Sequence, residues 1–214
     1  MSESLKKMYE DHHGNAREEG FSVMKSDRGI LFSKIIGKGK DILDLGCRDG
    51  ALTSFFVKGN KVMGVDIDQI SLARAAKNLE IETATFDIQS EWTHLGDRKF
   101  DVVVAGEFLE HVFYPDRVIM KVSNILKKDG FFIGSVPNAF SLKNRIKYIF
   151  ANKKYTPLSD PTHINHFSSN ELKGLLSQYF FDVEIVGIGR LGFIARKFPQ
   201  LFAFDLCFIA KNKK

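Results

Sequence analysis

Acidic side chains close four apolar runs in the first half of the chain. They are Asp44, Asp66, Asp87 and Glu107. A carboxylate at the end of a strand can accept hydrogen bonds from both hydroxyls of a ribose, each worth roughly 1.5–3 kcal/mol when the acceptor is charged. Parallel strands bring their carboxyl ends to one edge of a sheet. The pattern therefore predicts a nucleoside-binding site at that edge.

The segment DILDLGCRDG, residues 41–50, looks like a dinucleotide-binding turn without its second glycine. Folds that transfer hydride carry G-x-G-x-x-G here, and Arg48 occupies the position of the missing glycine. Asp44 and Asp49 would repel a pyrophosphate, even if a helix N-terminus favoured one. A nucleoside that carries an ammonium or sulfonium group suits this turn better.

Histidines that could act as general bases occur at His111 and at His163. An imidazole with an unperturbed pKa of about 6.5 can take the proton of an attacking hydroxyl near neutral pH. His163 can equally be a loop histidine satisfied by backbone groups. His166, in the same segment DPTHINHFS, is interpreted as structural.

Glu107, Glu110 and His111 are spaced at i, i+3 and i+4, so they would share one face of a helical turn. Together with a later histidine they could hold a divalent metal ion. In the alternative, Glu110 and His111 brace the helix while Glu107 lines the pocket. We favour the alternative, and no metal is predicted.

Alternating elements must position these residues. Strands are predicted at 41–46, 61–68, 82–88, 100–107 and 130–138, and an antiparallel pair at 181–189 and 201–212. Helices are predicted at 29–37, 51–59, 69–79, 114–130 and 168–180. The alternation predicts an α/β fold with a mostly parallel sheet that is covered on both faces.

The length of 214 residues, 44% of them hydrophobic, predicts one domain over residues 1–214. It would include an N-terminal helical segment, 1–39, and a cap insertion, 139–167. No apolar run reaches the roughly 18 residues that span a bilayer, and the N-terminus lacks the apolar core of a signal peptide, so a cytoplasmic protein is expected. Cys47 and Cys207 are too few for a disulfide framework; both are expected to be reduced, and Cys207 to be core.

Within the net charge of +5, residues 143–154 carry five basic side chains and no acid, interleaved with apolar ones. Such an amphipathic segment can lie on an anionic membrane surface. It could equally be an apolar lid with solvated lysines. The segment is short for RNA and offers no aromatic stacking platform, so nucleic acid is not an expected partner.

Together these segments resemble the class I, seven-stranded S-adenosylmethionine-dependent methyltransferases. DILDLGCRDG resembles their first motif, VMGVDID their ribose-binding acid, TFDI their adenine-side acid, FDVVVAGEFLEHV their fourth-strand motif, and ILKKDGFFIGSVPN their fifth-strand segment. The resemblance is strong over residues 40–138. It implies a three-layer Rossmann-like sheet, mostly parallel with an antiparallel last strand, and a small cap after strand 5.

The resemblance also implies S-adenosyl-L-methionine as the cofactor. Asp66 would hold the ribose hydroxyls, while Gly46 and Gly50 would let the backbone approach the methionine part. The residues expected to contact the cofactor are Asp44, Gly46, Cys47, Gly50, Asp66, Ile67, Asp87, Ile88 and Gly106. Many members carry a glycine where Arg48 stands, and we expect this side chain to point to solvent.

The E-x-x-E-H pattern is similar to that of the ubiquinone-pathway O-methyltransferases and the small-RNA 2′-O-methyltransferases, which use a divalent ion, but also to metal-free relatives. The resemblance favours O-methylation of a small or lipid-linked hydroxylated acceptor, with His163, His111 and Glu107 as catalytic residues. Peripheral membrane contact through residues 142–154 is a further hypothesis. The alternatives are an RNA 2′-O-methyltransferase with a divalent metal, and a module that binds the cofactor without catalysis.

Overall fold

The structure, a computed structural model, describes residue 20 and residues 22–212. The first half of the predicted N-terminal helical segment therefore lies outside the described residues. The strands are β1 Asp41–Leu45, β2 Lys61–Asp66, β3 Glu82–Thr85, β4 Phe100–Gly106, β5 Leu126–Pro137, β6 Phe180–Ile188 and β7 Asp205–Asn212. The helices are α1 Lys25–Ile36, α2 Gln69–Leu79, α3 Pro115–Ile125, α4 Leu142–Ile149, α5 Ser169–Leu176, α6 Phe193–Lys197 and α7 Pro199–Phe202.

The strands form one seven-stranded sheet in the order β3-β2-β1-β4-β5-β7-β6. β7 runs antiparallel to both of its neighbours, β5 and β6. The pairings of β1 with β2, β1 with β4 and β2 with β3 are parallel. The predicted fold class, a mostly parallel Rossmann-like sheet with an antiparallel last strand, is confirmed.

The chain divides into two compact units, Met1–Val104 and Ala105–Lys214, and the division falls inside β4. In the first unit β1 is flanked on both sides, with Leu43 level with Met63 on β2 and with Val103 on β4. Leu43 and Val103 are fully buried. Continuous apolar runs of this kind belong to strands that are covered on both faces.

In the second unit β7 lies between β5 and β6, with Ile209 paired to Ile133 on β5. Cys207 on β7 is fully buried, which confirms its expected place in the core. Both Cys47 and Cys207 are free thiols. In the described part of the chain, no helix has the length and apolar character needed to cross a membrane.

The prediction of a helix at 51–59 is wrong. Only a short 3-10 helix, Thr53–Phe55, forms there. β-Branched and aromatic side chains lose rotamer freedom in a helix, and this segment is rich in them. The hydroxyl of Thr53 also donates to Asp44 Oδ2 at 2.6 Å, so the segment is held by a contact to β1.

The helix predicted at 114–130 ends five residues early, at Ile125, and β5 begins at once with Leu126. The reason is tertiary, because the side-chain amide of Asn212 on β7 donates to the carbonyls of Leu126 and Lys127. The cap insertion contains α4 and a 3-10 helix, Pro157–Ser159. α5 begins at Ser169, within the helix predicted at 168–180, and Ser168 and Glu171 form a reciprocal capping box at its start.

Candidate functional site

The glycine turn after β1 is tied to the end of β2. The backbone N–H groups of Gly46 and Cys47 both donate to the carbonyl of Val65, at 2.8 and 3.2 Å. Gly46 and Gly50 have positive φ, +71° and +78°, which favours glycine. A Cβ at Gly50 would also collide with the side chain of Leu79 on α2. Both glycines are therefore required by the turn itself.

Arg48 adopts the conformation that a glycine would take, with φ of +51°. Its backbone N–H donates to Asp66 Oδ2 at 2.9 Å. The side chain is half-buried and its Nε is buried, so the prediction that Arg48 points to solvent is wrong. A left-handed non-glycine residue costs on the order of 1–3 kcal/mol and persists where surrounding contacts impose it.

Asp44 lies on β1 with its side chain almost fully buried. Burial raises the pKa of this carboxyl to about 7, the Thr53 hydrogen bond opposes the rise, and the nearby Asp66 adds to it. A carboxyl with this pKa is about half ionised at neutral pH. A positively charged ligand beside it would favour the ionised form.

Asp66 ends β2 and uses both carboxylate oxygens within the fold. Oδ2 accepts from the N–H of Arg48 and Oδ1 from the N–H of Asp68, each at 2.9 Å. Burial raises its pKa, while these backbone hydrogen bonds act in the opposite direction. The neighbouring Asp68 is the N-cap of α2 and accepts from Ile70 and Ser71. The two carboxylates thus have separate structural tasks, and Asp66 keeps further lone pairs for hydroxyl donors.

Cys47 packs its thiol against the position where a Cβ of Gly64 would stand. Burial and then the carboxylates of Asp44, Asp66 and Asp49 raise the pKa of the thiol well above its usual value. The thiol is therefore protonated at neutral pH, and a role for Cys47 as nucleophile does not fit.

The end of β3 is a local turn. Asp87 Oδ1 accepts from the N–H of Gln89 at 2.9 Å, and Asp87 itself is half-buried. Ile88 is buried, and its carbonyl accepts from the indole of Trp92 at 2.7 Å. Ile67, which follows Asp66, is half-buried. The three side chains are placed at strand ends as predicted, and their contact with a cofactor stays a prediction.

In the second unit, β4 ends at Gly106 and Glu107 follows with φ of +55°. Glu107 Oε1 accepts from the hydroxyl of Ser135 at 2.8 Å, and its N–H donates to the Ser135 carbonyl at 3.0 Å. The prediction that Glu107, Glu110 and His111 share one helical face is wrong. Leu109–His111 is a single 3-10 turn, and the left-handed backbone at Glu107 places it outside that turn.

The 3-10 turn is joined instead to a segment fifty residues later. The carbonyl of Glu110 accepts from the N–H groups of Ile164 and Asn165, at 2.8 and 2.9 Å. The side-chain amide of Asn165 donates to the carbonyl of Val112. Backbone hydrogen bonds of this kind set the distance between the two segments, and so they bring His163 beside His111.

The two imidazole rings are 4.9 Å apart between centroids and meet edge to face. His111 Nδ1 lies 3.0 Å from the Thr162 carbonyl, and His163 Nδ1 lies 3.2 Å from the Pro157 carbonyl. A carbonyl oxygen only accepts, so both Nδ1 atoms carry the hydrogen and both neutral rings have their lone pair on Nε2. Each ring is thus oriented by the backbone with the basic nitrogen turned the other way.

A carboxylate lies near each Nε2 atom. Glu110 Oε1 is 3.8 Å from His111 Nε2, and Asp160 Oδ2 is 3.6 Å from His163 Nε2. The Glu110 side chain is only 2% exposed. These carboxylates would stabilise the imidazolium form of either histidine after it has accepted a proton.

Among the described residues, Glu110, His111 and His163 also form a group that could hold a metal ion, with ligand atoms all within 4.8 Å of one another. The donor set, one carboxylate and two imidazoles, suits a divalent ion such as Zn²⁺. The metal hypothesis needed a later histidine beside Glu110 and His111, and His163 takes that place. Glu107 is not in this group and accepts from the hydroxyl of Ser135.

Three side chains that contact the predicted site residues were not predicted from the sequence. Thr53 is the hydroxyl donor to Asp44, Ser135 is the donor to Glu107, and Asp160 is the carboxylate beside His163. Only Asp160 had a readable signal, since it stands three residues before His163 in DPTH. The partners of Thr53 and Ser135 lie on other elements, and no spacing announces them.

A mostly parallel α/β sheet with a glycine turn after β1 and an acid at the end of β2 defines a Rossmann-like nucleoside-binding fold. A family model described as a methyltransferase domain matches residues 17–185. The chain therefore belongs to the class I S-adenosylmethionine-dependent methyltransferases.

Two curated relatives illustrate the range of the family. The chain is 31% identical over 161 residues to a ubiquinone biosynthesis O-methyltransferase of Glaesserella parasuis, covering 70% of this chain and 68% of the relative. It is 33% identical over 108 residues to a ribosomal protein L11 methyltransferase of Dictyoglomus turgidum, covering 49% of this chain and 35% of the relative. The chain spans about half the length of most of the curated relatives that it matches, from 35% to 68%.

Solved structures share the fold at low identity. A SAM-dependent methyltransferase from Archaeoglobus fulgidus superimposes with a TM-score of 0.66 at 21% identity, covering 96% of this chain and 99% of that one. The 1,6-didemethyltoxoflavin-N1-methyltransferase of Burkholderia thailandensis superimposes with a TM-score of 0.68 at 17% identity, covering 98% of this chain and 88% of that one. These similarities support the fold.

Proposed function

We propose that the protein transfers a methyl group from S-adenosyl-L-methionine to a hydroxyl of a small or lipid-linked acceptor. Asp66 accepts from the ribose hydroxyls, and the partly ionised Asp44 favours the cationic methionine part. Asp87 and Ile88 meet the adenine. The acid-lined turn after β1 supports a cationic nucleoside, because it would repel a pyrophosphate.

The observation that carries hydroxyl methylation is the pair of oriented imidazoles, His111 and His163, with Nδ1 on a carbonyl in both rings. In the reaction, the acceptor oxygen forms a bond to the methyl carbon as the carbon–sulfur bond breaks. The sulfur keeps the electron pair and becomes a neutral thioether, and the hydroxyl proton passes to Nε2 of His163. The nearby Asp160 and Glu110 stabilise the resulting imidazolium.

Alignment is the other requirement, because in-line displacement needs the acceptor oxygen within about 3–3.5 Å of the methyl carbon. The hydrogen bonds of Ile164 and Asn165 to Glu110 hold the segment that carries His163 in place. We infer that Glu107, which has a left-handed backbone after β4 and accepts from Ser135, positions a group of the acceptor.

The test is tritiated methyl transfer from the cofactor to a cell-membrane lipid extract, with His163→Ala compared with the unchanged protein. Loss of a general base lowers turnover by about a hundredfold or more, while cofactor affinity stays within about twofold. His166→Gln, in the same segment, is the matched control and should retain turnover. Equal losses of turnover and cofactor affinity in His163→Ala would show that His163 is structural.

A divalent cation is a second candidate, favoured by the close ligand atoms of Glu110, His111 and His163. Bound there, it would act as a Lewis acid that lowers the pKa of the acceptor hydroxyl. Metal analysis and dialysis against a chelator decide between the two. Activity that survives the chelator removes the cation, and activity that returns only with Zn²⁺ or Mn²⁺ assigns these residues as its ligands.

A further inference from the structure

The second unit carries an exposed apolar and basic surface on two separate stretches of sequence. Five large apolar side chains in residues 142–155 and five in residues 190–204 are exposed. They are Leu142, Ile146, Ile149, Phe150 and Tyr155, then Leu191, Phe193, Ile194, Phe198 and Phe204. We call these two stretches the basic aromatic surface. The second stretch, which joins β6 to β7, was not singled out by the sequence.

The two stretches are joined through Asn138, which follows β5. Its side-chain amide donates to the carbonyls of Pro199 and Ala203, at 3.0 and 3.1 Å, and its own N–H donates to Phe204. Its carbonyl accepts from the amide of Asn144 on α4 at 3.0 Å. One buried residue thus ties the cap insertion to the β6–β7 connection.

The connection is also packed tightly on β6. A Cβ at Gly187 would collide with the carbonyl of Ala195 and lie 2.9 Å from Pro199 Cβ and from Ala203 Cβ. Ala195 and Ala203 are buried, whereas Phe193, two residues before Ala195, is 77% exposed. The aromatic rings therefore protrude from an anchored support, and their exposure is a feature of the packed fold.

The charge of the surface identifies its occupant. The two stretches hold eight basic residues and no acid. Two copies that met through this surface would bring like charges together, which disfavours self-association. Lysines lie beside aromatic rings, with Lys154 Nζ 5.1 Å from the Tyr155 centroid and Lys197 Nζ 5.5 Å from the Phe198 centroid. Apolar rings bordered by cationic tips match the boundary between acyl chains and anionic headgroups.

We propose that the basic aromatic surface docks the protein on an anionic membrane, with Phe193, Phe198 and Phe204 as insertion points and Arg190, Arg196 and Lys197 as headgroup contacts. The inference does not require the proposed methyl transfer. A membrane-seated protein would meet a lipid-soluble acceptor at the bilayer surface.

The experiment is co-sedimentation of the full chain with phosphatidylcholine vesicles. One set contains no anionic lipid, and the other contains about 30% phosphatidylglycerol. Binding is expected with the anionic vesicles and is expected to weaken with salt. The double variant Phe193→Ser with Phe204→Ser should lose at least about tenfold in partition coefficient. Arg196→Glu with Lys197→Glu should lose at least about twentyfold, since each basic residue near an anionic surface contributes roughly fivefold.

The matched control is Phe181→Ser, because Phe181 is 74% exposed on β6 outside the basic aromatic surface. It should bind vesicles within about twofold of the unchanged protein, and circular dichroism should show all variants folded. Equal binding to neutral vesicles, or equal loss in Phe181→Ser, would overturn the proposal. So would a dimer in analytical ultracentrifugation that the phenylalanine variants convert to monomer, which would make the surface a protein interface. Vesicle binding needs no cofactor, so it can fail while methyl transfer succeeds, and the reverse.

Discussion

The glycine turn of the first unit and the histidine pair of the second are assembled in different ways. Asp44 and Asp66 lie at or next to the ends of adjacent parallel strands, 22 residues apart along the chain, and the pairing of β1 with β2 brings them together. His111 and His163 are 52 residues apart and are brought together by hydrogen bonds from Ile164 and Asn165 to Glu110. The glycine turn is therefore assembled by strand pairing, whereas the histidine pair depends on the cap insertion, residues 139–167.

The two sites also differ in charge. The turn holds buried acids whose pKa values are raised by burial. The histidine pair sets imidazoles against carboxylates, at 3.8 and 3.6 Å. Buried carboxylates favour a cationic ligand, whereas a neutral imidazole with a carboxylate near its basic nitrogen is suited to accept a proton. This difference is the reason for proposing that the first region binds the charged cofactor and the second transfers a proton.

The largest expected effect concerns stability and pH at the turn. Because burial raises the pKa of Asp44 to about 7, the folded protein holds this proton more tightly than the unfolded chain does. The contribution of Asp44 to the free energy of unfolding is therefore largest below about pH 4, falls as the pH rises toward 7, and is level above it; the span is on the order of 4 kcal/mol.

Asp44→Asn keeps an acceptor for Thr53 and removes the charge. Urea unfolding at pH 5 and pH 8 should show the variant more stable than the unchanged protein at pH 8, with a smaller difference between the two pH values. An unaltered pH dependence in the variant would mean that other groups cause it. Vesicle binding and the contacts of the histidine pair should not change in Asp44→Asn.

Cofactor affinity gives the next largest effect. Asp66→Ala removes the acceptor for ribose hydroxyls and should weaken cofactor binding at least about tenfold by calorimetry. Asp68→Ala, two residues on, removes the N-cap of α2 and should cost about 1 kcal/mol of stability with cofactor affinity nearly unchanged. Similar affinity losses in both variants would show that Asp66 acts only through the fold.

The smallest effect tests how the histidine pair is held. Asn165→Ala removes the side-chain amide that donates to the Val112 carbonyl and should cost about 1 kcal/mol of unfolding free energy. Methyl transfer should fall several-fold through misplacement of His163, while cofactor affinity stays the same. Asn170→Ala, at an exposed position in α5, is the control. A loss of cofactor affinity in Asn165→Ala would contradict the independence of the two regions.

Much of the first region could be predicted from the sequence. β1, β2 and α2 were readable because continuous apolar runs and a stripe of apolar residues at helical spacing are local signals. Gly46 and Gly50 were readable as turn residues for the same reason. The segment 51–59 was not, because its apolar spacing fits a helix while its β-branched and aromatic residues and the Thr53–Asp44 hydrogen bond oppose one.

For the second region, the sequence indicated single features but not how they are brought together. The i, i+3, i+4 spacing of Glu107, Glu110 and His111 predicted one helical face, but the left-handed backbone at Glu107 ends that regularity. The basic stretch at 143–154 was visible as a charge pattern. Its partner at 190–204 was not, since residues 201–204 fall in the strand predicted at 201–212 and residues 190–200 belong to no predicted element.

The sequence by itself determined the α/β class, the order of the elements, and the acids at strand ends, because these follow from local periodicity and from the chain direction of parallel strands. Only the tertiary structure decided that Arg48 takes a glycine-like backbone, that Thr53 serves Asp44, and that His163 meets His111. Each of these depends on hydrogen bonds between distant segments. Such bonds are satisfied only when burial removes the competing water, and no spacing along the chain encodes that condition.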